Sequence, residues 1–286
     1  MNKDNIAYAA GLFDAEGSIS IYERRQKHNP YPHSFYQLEV NLTSTHWPTA
    51  NWFKNNFGGS ISRDKRKKKP CFFWQTRSNI AANFLRKIIL DLRVKKLQAE
   101  LALQFQREQG KNKGYYKITP ELCQRRRQFK NQIMALNRNV PFTEFPNENK
   151  IAYTAGLLDG DGSIFISANK PRGFSPVHYL RIGIGICNQS IVVWLRNNFG
   201  GMVQIEKGHT GWGDKPFSGW TIGRNRAENI LRQILPHLRI KKSQAELALQ
   251  FQKEKKRCNQ TKQLTTEDLE EREQFRRRMK ALNHEI

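Results

Sequence analysis

The chain states one pattern twice. Ile6 to Ile19 reads I-A-Y-A-A-G-L-F-D-A-E-G-S-I and returns at Ile151 to Ile164 as I-A-Y-T-A-G-L-L-D-G-D-G-S-I, about 145 residues later. Other echoes keep the same order and nearly the same shift. Asn55 to Gly59 (N-N-F-G-G) returns at Asn197 to Gly201, and Gln98 to Gln106 returns unchanged at Gln244 to Gln252. Arg93-Val94-Lys95-Lys96 returns as Arg239-Ile240-Lys241-Lys242, and Ala135-Leu136-Asn137 as Ala281-Leu282-Asn283. A repeat of this length is a duplicated domain, not a short solenoid unit. The expected organisation is a domain over 1–138, a linker over 139–149 that carries Pro141 and Pro146, and a second domain over 150–286.

Within each copy the patterning predicts helix, two strands, helix, two strands, then helices. In the first copy the opening helix is expected from about Ile6 to Asp14, capped by Asp4 or Asn5. Strands are expected at Ser18–Arg24, Gln37–Thr43, Ser60–Asp64 and Phe72–Arg77, where Leu38, Val40 and Leu42 alternate with Gln37, Glu39 and Asn41. Helices are expected at Trp52–Phe57 and Ile80–Leu92, with Ile80, Phe84 and Ile88 on one face. Thr119-Pro120-Glu121 reads as the start of another helix. In the second copy Leu180, Ile182, Ile184 and Ile186 alternate with Arg181, Gly183 and Gly185.

Charge narrows the partner. The 286 residues carry 49 Lys and Arg against 25 Asp and Glu, a net charge of +24. Such a field suits a polyanion. A membrane surface is the weakest candidate, because no apolar run is long enough to span a bilayer and the N-terminus shows no signal-peptide core. Aromatic residues make up 11% of the chain, enough for a packed core. Cys71, Cys123, Cys187 and Cys258 are scattered without a C-x-x-C pair, which argues against zinc and against a disulfide framework. They read as reduced thiols of an intracellular compartment.

In each opening helix small residues share a face with an aspartate: Ala7, Ala10, Gly11 and Asp14, then Ala152, Ala155, Gly156 and Asp159. Such faces let backbones approach closely. If these helices pair, Glu16 and Asp161 emerge together at their C-terminal ends, facing the negative ends of the dipoles. A divalent cation relieves that conflict, and oxygen-only ligands favour Mg²⁺. Two acids with metal suit in-line attack on a phosphodiester. Asp14 and Asp159 read instead as helix-end hydrogen-bonding groups.

Ala9–Gly17 and Thr154–Gly162 resemble the signature of LAGLIDADG homing endonucleases in their single-chain, two-repeat form, and the resemblance covers essentially the whole chain. It implies an α+β fold: two pseudo-symmetric αββαββα domains, each with a saddle-shaped antiparallel sheet for the DNA major groove, and the signature helices at the domain interface. It implies metal binding by Glu16 and Asp161, with the carbonyls of Ala15 and Gly160 contributing, and double-strand cleavage that leaves four-base 3′ overhangs. The cofactor implied is Mg²⁺, with Mn²⁺ or Ca²⁺ as substitutes for binding. A basic active-site residue of the family falls on Lys95 and Lys241, which otherwise read as a solvated face or as phosphate contacts. A polar residue near the end of the second strand falls on Ser44 or His46 in the first copy and on Asn188 in the second. The departures are Ala9 and Thr154 for the leading leucine, and Glu16 for the commoner aspartate.

Base reading is expected from strand residues that face away from the core: Ser20, Tyr22, Arg24, Gln37, Glu39 and Asn41, then Phe165, Ser167, Asn169 and Arg181. These differ between the copies while the scaffolds agree, so the expected target is a long non-palindromic duplex bound by a monomer. Lys65-Arg66-Lys67-Lys68-Lys69 reads as a loop that grips the DNA backbone, or else as a nuclear-import signal. Trp52, Trp74, Trp194 and Trp220 read as core. The competing function is an RNA maturase that assists intron splicing; survival of both acids argues against splicing as the sole role. A transcriptional regulator is disfavoured for the same reason. The resemblance implies an intron-encoded gene of an organellar (mitochondrion or chloroplast) or microbial genome, and the residues choose neither the host nor the genetic context.

Overall fold

The computed structural model describes residues 1–24, 35–64, 69–111, 119–138, 149–169, 176–206, 217–254 and 264–285. Most of the expected linker, all of the basic run but Lys69, and Cys258 lie outside the described residues. The chain divides into two compact units, Met1–Tyr153 and Thr154–Ile286. The fold class is α+β in both.

The first unit runs α1 (Lys3–Glu16), β1 (Gly17–Arg24), β2 (Phe35–Ser44), α2 (Trp47–Phe57), β3 (Ser60–Asp64), β4 (Cys71–Arg77), α3 (Ser78–Ile88), α4 (Lys96–Lys111) and α5 (Pro120–Arg138). Its four strands form one antiparallel sheet in the order β1-β2-β4-β3. Residues of alternate parity are buried: Ile19 and Ile21 on β1, Leu38, Val40 and Leu42 on β2, Trp74 and Thr76 on β4. That period of two leaves the opposite sheet face uncovered by the unit's own helices.

The second unit repeats the order. After α6 (Lys150–Asp161), within which the division falls, come β5 (Gly162–Asn169), β6 (Val177–Ile186), α7 (Gln189–Phe199), β7 (Met202–Glu206), β8 (Phe217–Gly223), α8 (Arg224–Ile234), α9 (Lys242–Glu254) and α10 (Thr266–Glu285). The sheet order is β5-β6-β8-β7, again antiparallel. No helix among the described residues is long and apolar enough to cross a membrane.

Several repeated segments have a visible structural cause. The F-G-G turns hold Gly58 and Gly59 at φ of 75° and 87°, and Gly200 and Gly201 at 75° and 93°, angles that L side chains rarely adopt. A Cβ on Gly59 would also sit 2.4 Å from the Gln75 carbonyl oxygen. Each turn accepts a hydrogen bond from a buried tryptophan, Trp74 Nε1 to the Gly58 carbonyl and Trp220 Nε1 to the Gly200 carbonyl, both 2.8 Å. The repeated Q-A and A-L-N segments meet each other: Gln98 Nε2 donates to the Leu136 carbonyl at 3.5 Å, and Gln244 Nε2 to the Leu282 carbonyl at 3.1 Å.

Helix starts depart from the sequence reading. The cap of α1 is Asn2, whose Oδ1 accepts the Asn5 amide at 2.9 Å, so Asp4 falls inside the first turn, where its charge suits the dipole. Helix α2 begins at Trp47, because Pro48 is tolerated in a first turn. Helix α3 covers Ser78–Ile88, and Ile80 is 49% exposed while Phe84 and Ile88 are buried. Ile80 lies over the glycine turn instead of facing the core, its Cγ2 being 3.3 Å from where a Gly58 Cβ would stand. Trp74, Trp194 and Trp220 are core residues as expected, and half-buried Trp52 packs edge-on against Tyr8.

Two outcomes follow from these contacts. Gly59→Ala should lower unfolding stability by at least about 1–2 kcal/mol, read as a lowered urea midpoint, since the angle alone costs that much. In the second unit Glu273 joins α10 to buried His178 on β6, with Oε2 to Nε2 at 3.1 Å. Hydrogen bonds from Arg276 hold the Glu273 carboxyl at about 2, below its ordinary 4.5. A carboxyl lowered in the folded state adds stability that is full above about 4.5 and lost as pH falls toward about 2. The gap in urea midpoint between the wild type and Glu273→Gln should therefore be widest at neutral pH and close across that interval.

Candidate functional site

Each signature helix ends in the same corner. In α1, residues 7 to 14 are buried without a break, and so are residues 152 to 159 of α6. Glu16 closes α1 and is exposed; Asp161 closes α6 and is half-buried. The glycine that follows each acid turns the chain straight into a strand. At Gly17 a Cβ would sit 2.2 Å from the Phe13 ring, and at Gly162 2.3 Å from a Leu158 methyl. The acid therefore stands at a fixed junction, with the helix on one side and the first strand of the sheet on the other.

Behind each acid lies a buried aspartate with one structural task. Asp14 is 1% exposed, and its carboxylate accepts the backbone amides of Arg93 at 2.8 Å, Val94 at 3.1 Å and Lys95 at 2.9 Å. Asp159 does the same for Arg239, Ile240 and Lys241, at 2.8, 3.0 and 2.8 Å. The helix-end role expected for this pair is what the structure shows. In the first unit Tyr153 Oη adds a further bond to Asp14 at 2.8 Å. Burial, then the Asp14 charge, pushes the Tyr153 phenol well above its ordinary value, so it stays a donor.

The anchored segment delivers a cation to the helix end. Lys95 Nζ donates to the Asp14 carbonyl, and Lys241 Nζ to the Asp159 carbonyl at 2.5 Å. Both ammonium groups thus sit at the negative pole of a helix, two residues before the candidate metal acid. Their neighbours diverge: Lys96 is buried, and desolvation lowers its pKa, whereas Lys242 is exposed.

The donors suit a hard cation only in part. Among the described residues no three His, Cys, Asp or Glu side chains gather to hold a metal. A corner offers one carboxylate and the end carbonyls of a helix, of which Ala15 and Gly160 immediately precede the acids. This fits Mg²⁺, which commonly keeps several waters and takes its remaining ligands from one or two carboxylates and a phosphate.

The strand-end candidates fall at helix entries. Ser44 ends β2 and its Oγ accepts the His46 amide at 3.1 Å. His46 and Asn188 are the N-caps of α2 and α7; His46 Nδ1 lies 2.8 Å from Thr49 Oγ1, and Asn188 Oδ1 accepts the Ile191 amide at 3.2 Å.

The outward sheet faces carry the expected readers, already engaged with each other in places. Ser20, Tyr22 and Arg24 alternate with buried residues on β1, and Tyr22 is 54% exposed. Ser20 pairs with Glu39, and Glu39 with Arg77. Glu39 accepts from Arg77 Nε at 2.9 Å and from Asn41 Nδ2 at 3.0 Å, so it buttresses its neighbours. Gln37 donates to Ser78 Oγ at 2.9 Å. In the second unit the row is Phe165, Arg181, Gly223, with the Arg181 guanidinium 5.7 Å from the Phe165 ring centre and 3.4 Å from Thr221 Oγ1. Ser167 pairs with Tyr179, and exposed Asn169 with Val177. An open pocket of about 380 Å³ lies here, lined by Tyr179, Arg181, Met202, Thr221, Arg224 and Arg226 among others.

Gln75 and Arg77 on β4, and Thr221 on β8, belong to these faces and escaped the sequence reading. Their period of two was masked by the apolar run C-F-F-W at the start of β4, and by glycines in β8.

Stability and Lys position should change together at the anchor. Asp159→Asn replaces an acceptor-only carboxylate and should cost about 1.5–3 kcal/mol in urea unfolding, with increased amide exchange at Arg239, Ile240 and Lys241.

Comparison with known proteins bears on this geometry. Residues 9–97 match the family model of the LAGLIDADG endonucleases. No curated protein matches the chain by sequence. Among solved structures it resembles the meganuclease I-SmaMI bound to uncleavable DNA, at 20% identity and a TM-score of 0.70 over 98% of this chain and 100% of that one. It also resembles the I-LtrWI LAGLIDADG homing endonuclease bound to target DNA, at 14% identity and 0.71 over 96% and 97%. The third is the LAGLIDADG homing endonuclease I-GzeII in complex with its DNA target, at 17% and 0.69 over 95% and 96%. Another I-SmaMI structure holds uncleaved DNA in the presence of calcium ions. At these identities the likeness is one of fold.

Proposed function

We propose that this chain is a LAGLIDADG protein in the single-chain, two-repeat form, and a site-specific DNA endonuclease that cuts both strands of a long non-palindromic target. The observation that carries this reading is the duplicated corner: an acid at a fixed helix end, with an ammonium group held on the same terminus by a buried aspartate. A structural scaffold alone has no need of a partly exposed acid at both places. The excess of positive charge supplies the sequence-independent part of DNA affinity.

Glu16 with the Ala15 carbonyl, and Asp161 with the Gly160 carbonyl, would hold divalent cations, Mg²⁺ first among them. When bound, these supply charge neutralisation at the phosphate and a more acidic water. Lys95 and Lys241 place positive charge beside each acid, where it stabilises the phosphate as negative charge grows. The outward residues of the sheets set register and sequence. Different rows in the two units, Ser20-Glu39-Arg77 against Phe165-Arg181-Gly223, call for different half-sites. The monomer carries both halves, and the ends left are four-base 3′ overhangs.

A target recovered by cleavage selection from a randomised duplex library tests this. With Mg²⁺ the wild type should convert a plasmid bearing that target to linear form, and end sequencing should show the overhang. Glu16→Gln should bind the duplex within about threefold of wild type, while cutting falls by at least about 100-fold. Full cutting by this variant would remove Glu16 from the site.

A further inference from the structure

The two corners differ in acid length and in the floor beside the acid. In the first unit Gly17, which follows Glu16, pairs with Leu42; the next outward residue on β2 is Thr43, which pairs with Phe73 on β4. In the second unit Gly162, which follows Asp161, pairs with Ile184; the next outward residue on β6 is Gly185, which pairs with Gly219 on β8. A threonine and a phenylalanine thus face a pair of glycines at the same register.

Of the other outward glycines of the second sheet, Gly223 has a local cause, since a Cβ there would stand 3.2 Å from the Leu180 carbonyl oxygen, while one on Gly183 would make ordinary contacts with Ser163 Oγ at 3.4 Å and the Phe165 ring at 3.7 Å. Gly185 and Gly219 face each other, so neither crowds its partner with a side chain. Among the described glycines only Gly58, Gly59, Gly200 and Gly201 have positive φ, so the backbone at Gly185 and Gly219 does not require glycine either. Both lie in the two central strands, are half-buried, and forgo side-chain packing there. Glycine in a strand interior often marks a bulge, a tight bend or the close approach of a ligand or another backbone, and the β6–β8 ladder runs without a bulge through Gly185 and Gly219.

We propose that Gly185 and Gly219 form a clearance gap that lets the DNA strand attacked at Asp161 approach the sheet more closely, matched to the shorter acid. Thr43 and Phe73 form the taller floor matched to Glu16, whose carboxylate reaches one carbon–carbon bond further, about 1.5 Å. Acid length and floor height compensate within each unit, so each carboxylate meets its phosphate at the same reach. The inference rests on the endonuclease reading and adds a positioning role for four residues outside the metal-binding corner.

Supercoiled plasmid bearing the selected target resolves the cuts, because one strand cut gives nicked circle and two give linear DNA. Glu16→Asp should cut one strand at the wild-type rate and the other about 100-fold more slowly, the cost of roughly an ångström of misplacement. Adding Thr43→Gly and Phe73→Gly should recover at least tenfold of that loss. In the opposite unit Gly185→Thr should accumulate nicked circle, and adding Asp161→Glu should relieve it. Thermal melting checks that each variant folds; if the Phe73→Gly protein does not, the Gly185→Thr pair decides alone. Wild-type rates on both strands for Glu16→Asp, or a Gly185→Thr defect that Asp161→Glu leaves unchanged, would overturn the compensation. A wild type that cuts neither strand of any selected duplex overturns the endonuclease reading itself.

Discussion

A buried carboxylate that accepts three consecutive backbone amides organises each unit. Asp14 and Asp159 belong to the signature helices, and the amides come from segments about eighty residues further along the chain. A carboxylate buried alone would be costly. Three N–H donors spread its charge over a peptide nest, and the lysine that follows returns to the helix carbonyl. One residue thus ties together segments about eighty residues apart, fixes the helix terminus and sets the position of the lysine ammonium at that terminus. The glycine after the acid completes the junction, because Phe13 or Leu158 fills the space a side chain would take.

Much of this was legible because the chain repeats itself. An acid before glycine is common, but an acid at the same place in both copies, each followed downstream by R-x-K-K, singles out Glu16, Asp161, Lys95 and Lys241 as the candidates. The strands followed from alternation, since Leu38, Val40 and Leu42 fill one face of β2. What the residues did not reveal was mostly direction and partnership. Nothing in the one-dimensional pattern says that Asp14 bonds to Arg93, or that Glu39 is spent on Arg77 and Asn41. Arg77 itself was hidden at the end of an aromatic strand. Helix starts were misplaced where several caps competed locally, as Asn2 did with Asp4 and Asn5.

The repeat also separates constraint from freedom. Segments kept in both copies are those with backbone tasks: the F-G-G turns with positive φ, the glutamine that holds a carbonyl at the next helix, the aspartate nest. Outward strand positions carry no such task and have diverged, from Glu39 to Arg181 and from Arg77 to Gly223 at matching register. That exchange also alters the electrostatics. In the first unit the Glu39–Arg77 pair at 2.9 Å cancels its own charge. In the second, Arg181 lies on the Phe165 ring and a threonine hydroxyl, with no carboxylate bonded to it among the described residues. A phosphate or a guanine edge gains more from Arg181 than from the buttressed Arg77, because a guanidinium already bonded to a carboxylate must give up that bond to make another. Among the described residues the second sheet therefore presents glycine backbone and a guanidinium without a carboxylate partner, and the first presents a preformed polar network.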